Sequence, residues 1–526
     1  MNVAAYLKQQ ASARPDQDAI RARPGGAPSR ISFADLDRRS DALALGFDRY
    51  GIGRGVRTLV MVRAGLELIT LTYALFKAGA VPVLIDPGMG LRGFLRCVAD
   101  TKPTAFVGIP LAQLVRCAFR SPFTTVTRVV AVGPRLFWGG ATLRDLESGG
   151  GSHFVATGEG DPAAILFTSG STGPAKGALY AHGHFCAQVE VLKTTYGFEP
   201  GEVDLAAFPL FSLFDAALGM TSVIPDLDPA RPGRCDPAKV VAALVEERCT
   251  SAFGSPAIWR RVAPYCAERG LRLEHLKRIL IAGASVPASL IERLHRVLPP
   301  DADVHTPYGA TEALPVATIA GREVVAGAAE ASREGRGTCV GRPVGPIDVR
   351  IIRISDEPIP NWDPGLELPA GAVGEICVRG ALVTLGYAGR DEATRSAKIK
   401  DGESCWHRMG DLGYFDPLGR LWFAGRKAER VRTATGVLFT DLVESRIAAV
   451  AGVARCALVG IGDPGRERPV AVIEGRSDAA LAERVEAAFP FQAVLFHPRF
   501  PVDVRHNAKI HRLELKRWAE SRLGRA

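Results

Sequence analysis

Apolar residues along this chain switch between two spacings. In ISFADLDRRSDALALGF (31–47) they recur every three or four positions, which predicts an amphipathic helix with Ser32 placed to cap it. RTLVMV (57–62) is a short apolar run and predicts a strand. LFKAGAVPVLIDPG (75–88) repeats the unit, with a helix stopped at Gly79 and a strand over 81–85. The alternation resumes with AAILF (163–167) as a strand, HGHFCAQVEVLKTTYG as a helix and LAAFPL (205–210) as extended chain. PAKVVAALVEERC then precedes TSAFGSP, and LKRILIAGA (276–284) is a strand running into a glycine turn. Helices alternating with short apolar strands predict a layered α/β architecture. From 348 to 375 the texture changes: VRIIRI and VGEICVRG flank a Pro/Gly-rich turn, which predicts a hairpin and a β-rich part. A last unit opens near Gly425, with VARCALVGI and PVAVIEG as strands and ALAERVEAAF as a helix. Its length suits a small α+β domain.

At 526 residues the chain exceeds what one hydrophobic core organises, which implies two or more domains. Its 47% hydrophobic and 23% charged residues fit a globular enzyme and exclude a disordered chain. Ten cysteines are scattered without a CxxC pair, which predicts a reducing, cytoplasmic setting and no structural metal. Lys8 interrupts the first apolar run, against a secretory signal. Arg63, Glu67 and Lys77 break up the apolar stretch 58–85, against a transmembrane segment. The formal charge is +9, and the residues from Arg426 onward hold 18 Lys/Arg against 12 Asp/Glu, so +6 lies there. No aromatic residues interleave with those basic ones as nucleic acid would require. The surplus therefore predicts a solvated face, or a domain that closes over an anionic nucleotide.

The chemistry begins where AAILF ends, in LFTSGSTGPAKG (166–177). Gly170, Gly173, Pro174 and Gly177 exclude a helix, and the glycines let the loop bend closely round a ligand. Thr168, Ser169, Ser171 and Thr172 offer hydroxyl donors and Lys176 a cation, a set that suits a polyphosphate. The spacing departs from the GxxxxGK[ST] P-loop, which argues against kinase-like and motor-like NTPases.

This stretch resembles the phosphate-binding loop of the adenylate-forming superfamily, which includes acyl-CoA synthetases, luciferases and adenylation domains. The resemblance covers essentially the full length, with further motifs in the expected order. HTPYGATE (305–312) is similar to the family's YGxTE segment and implies nucleotide contacts at Tyr308, Gly309 and Thr311. Tyr308 offers a flat face to adenine, Thr311 a hydroxyl to phosphate, and Glu312 a carboxylate to Mg²⁺, with Thr168 as the second metal ligand. ILIAGASVP (279–287) and FGSP (253–256) resemble segments that line the adenine and acyl groups, here through Gly283, Ala284 and Ser285. In WHRMGDLGYFDPLGRLWFAGR (406–426), Asp411 stands where the family aspartate takes both ribose hydroxyls, and Arg426 where an arginine lies near ribose and phosphate. Lys509, in PVDVRHNAKIHRLELKRW, stands in the place of the mobile lysine that stabilises the carboxylate–α-phosphate transition state. The resemblance thus implies ATP and Mg²⁺ as cofactors, and Lys509, Lys176 and Glu312 as catalytic residues. It also implies a large ATP- and acyl-binding domain over 1–427 and a small mobile domain over 428–526.

Three departures stand out. Ser212 follows PLF where relatives often carry a histidine, with Asp215 nearby. Ala428 occupies the hinge where a polar Asp or Lys commonly pivots, and the same stretch holds one residue more before Gly436. The hinge departures bear on a thioester-forming conformation and leave adenylation intact. His182 and His184 do not share a helix face at i,i+2, which predicts packing or helix-entry roles, while His506 and His511 flank Lys509. The contexts FTSGSTGPAKGALYAHGHF, FPLFSLFDAALGMT and RTATGVLFTDLVE are similar to the olefin β-lactone synthetases of bacterial long-chain olefin biosynthesis. That similarity implies adenylation of a 2-alkyl-3-hydroxy long-chain fatty acid, whose own 3-hydroxyl then displaces AMP to close a four-membered lactone. It also implies association with the other enzymes of olefin biosynthesis. The alternative is a long-chain fatty acyl-CoA synthetase. Asp215, His182 and the departing phosphate oxygen all stand as acceptors for the hydroxyl proton.

Overall fold

The structure, a computed structural model, describes residues 1–22, 29–167, 174–502 and 510–524. Ser32 caps the helix Phe33–Arg49 by accepting the Asp35 N–H at 3.1 Å, and the apolar stripe Phe33, Leu36, Leu43, Phe47 is buried. That helix lies on a seven-stranded sheet. The strand order is Ala141–Thr142, Arg128–Ala131, Ala105–Gly108, Arg57–Met61, Val81–Leu84, Pro162–Phe167, Gly177–Ala181. All neighbours are parallel except the last pair. The strands read as apolar runs because helices cover both faces. Helices Phe33–Arg49 and Leu66–Lys77 share one core with Val60 and Val107, and Gly90–Thr101 shares another with Leu59 and Phe106. Lys77 is wholly buried between the carboxylates of Asp37 (2.6 Å) and Asp41 (2.7 Å), which tie the first two of these helices together.

The second sheet has fourteen strands: two halves of six, with Ser29–Ser32 added antiparallel to Asp18–Ala22 at one edge and Lys398–Asp401 added antiparallel to Ser404–Phe415. Its parallel half runs Asp303–Ala310, Arg278–Ile281, Ser251–Gly254, Val203–Ala206, Thr221–Ile224 and Asp18–Ala22. Its antiparallel half runs from Ala313–Ala320 through Thr338–Pro343, Leu421–Arg426, Ser404–Phe415 and Gly374–Gly380 to Ile347–Ile352. The halves meet in the hairpin of Asp303–Ala310 with Ala313–Ala320, so the end of the HTPYGATE motif is the turn at the seam. The expected hairpin between VRIIRI and VGEICVRG forms as Ile347–Ile352 against Gly374–Gly380. LAAFPL is extended only as far as Ala206; Pro209 then opens a 3₁₀ turn, Pro209–Phe211, because its fixed φ suits a helical first position.

A smaller α+β C-terminal domain follows. Strands Cys456–Ile461, Arg468–Glu474 and Ala493–His497 form its sheet, flanked by helices Thr440–Ala448, Ala479–Ala488 and Arg512–Leu523. Its two cores draw wholly on residues 431–523. All ten cysteines are free thiols, and among the described residues no helix is long and apolar enough to cross a membrane.

Candidate active site

Neighbouring strands bring the first cluster together. Asp411 and Arg426 face each other in register across the antiparallel pair Ser404–Phe415 and Leu421–Arg426, so their side chains share a face. Arg426 Nη1 lies 2.7 Å from Asp411 Oδ1, while the Tyr308 hydroxyl donates to Asp411 Oδ2 at 2.6 Å. Asp411 is 2% exposed. Burial and the adjacent carboxylate push the Tyr308 phenol well above its ordinary pKa, and Asp411 holds the Arg426 guanidinium above its own. An anionic acceptor is thus fixed between a phenol and a cation at the rim of the seam.

A crossing segment builds the second cluster. Residues 383–388 bridge the seam to the first sheet: the Thr384 N–H donates to Glu312 O (2.9 Å), and the Ala388 N–H to Gly177 O (2.8 Å). On this bridge stands Tyr387. Its hydroxyl donates to Glu312 Oε1 at 2.5 Å, and Lys176 Nζ sits 4.9 Å from the centre of its ring. Lys176 and Glu312, from motifs far apart in the chain, therefore meet at one tyrosine. Nothing local in the sequence marks Tyr387 for this task, and the motifs miss it. Lys398 and His407, also missed, lie opposite each other on neighbouring strands beside this cluster. Burial lowers Lys398 to about 8, with Cys405 and Glu312 opposing, and drives His407 well below its ordinary value.

The Tyr180 hydroxyl donates to Thr311 O at 2.5 Å. A Cβ at Gly309 would lie 2.5 Å from Ala313 O, so the hairpin admits only glycine there. Gly283, at φ +95°, follows the carboxyl end of the parallel strand Arg278–Ile281; it and Ser285 are exposed and Ala284 half-buried, an open turn where a ligand can approach. Thr168, Ser169, Gly170, Ser171, Thr172, Gly173 and Lys509 lie outside the described residues. Ser212 and Asp215 are fully buried, and the Ser222 hydroxyl bridges them at 2.8 and 2.6 Å. Burial raises the Asp215 carboxyl far above its ordinary range.

The two histidines after the loop serve the fold. The Val3 N–H donates to His182 Nδ1 (3.3 Å) and the Ala181 N–H to His184 Nδ1 (2.9 Å), the latter at the start of helix His182–Tyr196. Burial lowers His182 from 6.5 to about 4, with the N-terminal ammonium adding to it. The unfolded chain therefore binds a proton that the folded one refuses, and stability falls as pH drops from about 6.5 to about 4. At His182 alone the loss is ~3 kcal/mol across the window. Urea unfolding at stepped pH checks this: His182→Gln flattens that part of the slope, and an unchanged slope would contradict the assignment.

The described residues fit a nucleotide with a divalent cation. A buried carboxylate between a cation and an aromatic ring suits ribose beside adenine. Among the described residues no three His, Cys, Asp or Glu side chains form a metal site by themselves. Mg²⁺ commonly takes one carboxylate together with phosphate oxygens, and Glu312, held by Tyr387 close to Lys176, is a carboxylate of the kind that would fit.

The AMP-binding enzyme family model matches residues 7–388. The chain is 49% identical to the olefin beta-lactone synthetase of Xanthomonas campestris pv. campestris, over 98% of this chain and 97% of that one. It is 48% identical to the olefin beta-lactone synthetase of Stenotrophomonas maltophilia, over 99% and 98%. Among solved structures, ATP-bound MatB from Rhodopseudomonas palustris shares the fold, with a TM-score of 0.79 over 99% of each chain at 22% identity.

Proposed function

The chain belongs to the AMP-binding enzymes, in the olefin β-lactone synthetase family, and on that premise we propose that it converts a 2-alkyl-3-hydroxy fatty acid and ATP into a β-lactone, AMP and pyrophosphate. The carrying observation is near-half identity to two β-lactone synthetases over alignments that cover 98% and 99% of the chain. Asp411 takes the ribose hydroxyls, Tyr308 covers adenine, and Arg426 lies near ribose and phosphate. The loop 168–173 and Lys176 hold the polyphosphate. Glu312 and Thr168 hold Mg²⁺, which when bound neutralises phosphate charge. Tyr387 keeps Glu312 and Lys176 in place from the ring between them.

The acid's carboxylate attacks the α-phosphorus, pyrophosphate leaves, and Lys509 offsets the charge that builds up. The 3-hydroxyl oxygen then attacks the acyl carbon, its proton passes to the departing phosphate oxygen, and AMP leaves with the electrons of the broken acyl–oxygen bond. Tethering at short range makes a second substrate unnecessary. Lys509 arrives on a mobile unit, residues 428–526, that turns against residues 1–427. In support of this boundary, the C-terminal cores start at Val431, while Lys427 is still anchored by Glu375 at 2.9 Å.

Comparing the hydroxy acid with the same acid lacking the 3-hydroxyl tests the proposal. The hydroxy acid turns over repeatedly without coenzyme A. The other acid stops after about one equivalent of pyrophosphate, with acyl-adenylate retained, because the nucleophile is missing. Equal turnover of both acids, dependent on coenzyme A, would assign the chain to the thioester-forming ligases.

A further inference from the structure

The first sheet carries a face that its own fold leaves bare. Helix Pro110–Ala118 packs inward through Ala112 and Val115 but presents Leu111 (68% exposed) and Leu114 (45%) outward. The adjoining turn adds Leu136 (54% exposed) and Phe137 (75%). Arg116 straps the two elements together by donating to Trp138 O at 3.1 Å. Four large apolar side chains on tied elements form the kind of patch that marks an interaction surface.

Charge decides the occupant. Residues 91–140 hold seven Lys/Arg and a single Asp/Glu, and that one, Asp100, is paired with Arg390 at 2.7 Å. Arg92, Arg96, Arg120 and Arg135 are exposed; the first two stand on helix Gly90–Thr101, which shares a core with helix Pro110–Ala118, and the others adjoin that helix and Leu136 in the chain. A second copy of the chain would set the same positive charges against each other. An anionic lipid surface complements them, and its acyl region takes up exposed leucine and phenylalanine. We propose that this face docks the protein on an anionic phospholipid bilayer, with Leu111, Leu114, Leu136 and Phe137 entering the interface and the arginines meeting headgroups. Docking there holds a defined edge of the sheet at the membrane. Helix Pro110–Ala118 starts at the carboxyl end of strand Ala105–Gly108, three strand positions from Phe167, where the segment 168–173 begins. At ordinary strand spacing that is about 14 Å.

Sedimentation with vesicles tests the surface, using equimolar phosphatidylcholine and phosphatidylglycerol against pure phosphatidylcholine. Wild-type protein sediments with the anionic vesicles at low salt and is released by high salt. Each arginine removed weakens partition by about fivefold, so Arg120→Gln with Arg135→Gln lowers it roughly 25-fold. Leu111→Glu with Phe137→Glu abolishes sedimentation. These exposed positions lie outside the catalytic machinery, so all variants keep wild-type pyrophosphate release on a short-chain soluble acid. Wild-type protein that stays in the supernatant, or variants that sediment as well as wild type, would overturn the proposal. If it stays in the supernatant while showing dimerisation that Leu111→Glu with Phe137→Glu destroys, the face belongs to a protein interface instead.

Discussion

Asp411→Asn lowers kcat/KM for ATP by about 10²-fold while the protein still melts cooperatively. The amide keeps the shape of the carboxylate but removes the charge fixed between Arg426 at 2.7 Å and Tyr308 at 2.6 Å. A carboxylate receiving two ribose hydroxyls makes charge-assisted bonds of about 1.5–3 kcal/mol each. Losing most of that amounts to ~3 kcal/mol, or about two decades in rate. Pyrophosphate release against ATP concentration gives the number, and a melting curve separates it from unfolding. Unchanged ATP kinetics would remove Asp411 from the nucleotide site.

Lys509→Ala slows formation of the acyl-adenylate by 10²-fold or more, because one well-placed charge at a developing phosphorane-like transition state is lost. ATP binding and the melting temperature stay near wild type, since the nucleotide clusters are built from residues 176–426 and the C-terminal cores from apolar side chains. Rapid-quench measurement of acid-dependent pyrophosphate release isolates the step. A near-normal rate would mean that another group offsets the charge, with Arg505 and His511 next to be tested.

The parallel parts of the fold were legible in the sequence for a physical reason. A strand such as Arg278–Ile281 is buried at every position, so RILI stands out as an apolar run between helices. The seam was not legible as structure. Asp303–Ala310 is half-buried along most of its length and follows neither period, so HTPYGATE signalled chemistry but not a strand. The Tyr308, Asp411 and Arg426 cluster joins residues that motif order had already singled out. Tyr387 stayed hidden because its place depends on long-range pairing of residues 383–388 with strand Gly177–Ala181, which leaves no local pattern. Ser212 and Asp215 stand out in the sequence as departures, but not as core residues, because their bridge, Ser222, sits on a later strand.

Mass spectrometry of the product is the most direct measurement. With ATP, Mg²⁺ and a 2-alkyl-3-hydroxy fatty acid, and with coenzyme A left out, the enzyme releases AMP and a compound one water lighter than the acid, and added coenzyme A changes neither yield nor product. A product that appears only with coenzyme A and carries its mass as a thioester would contradict lactone closure.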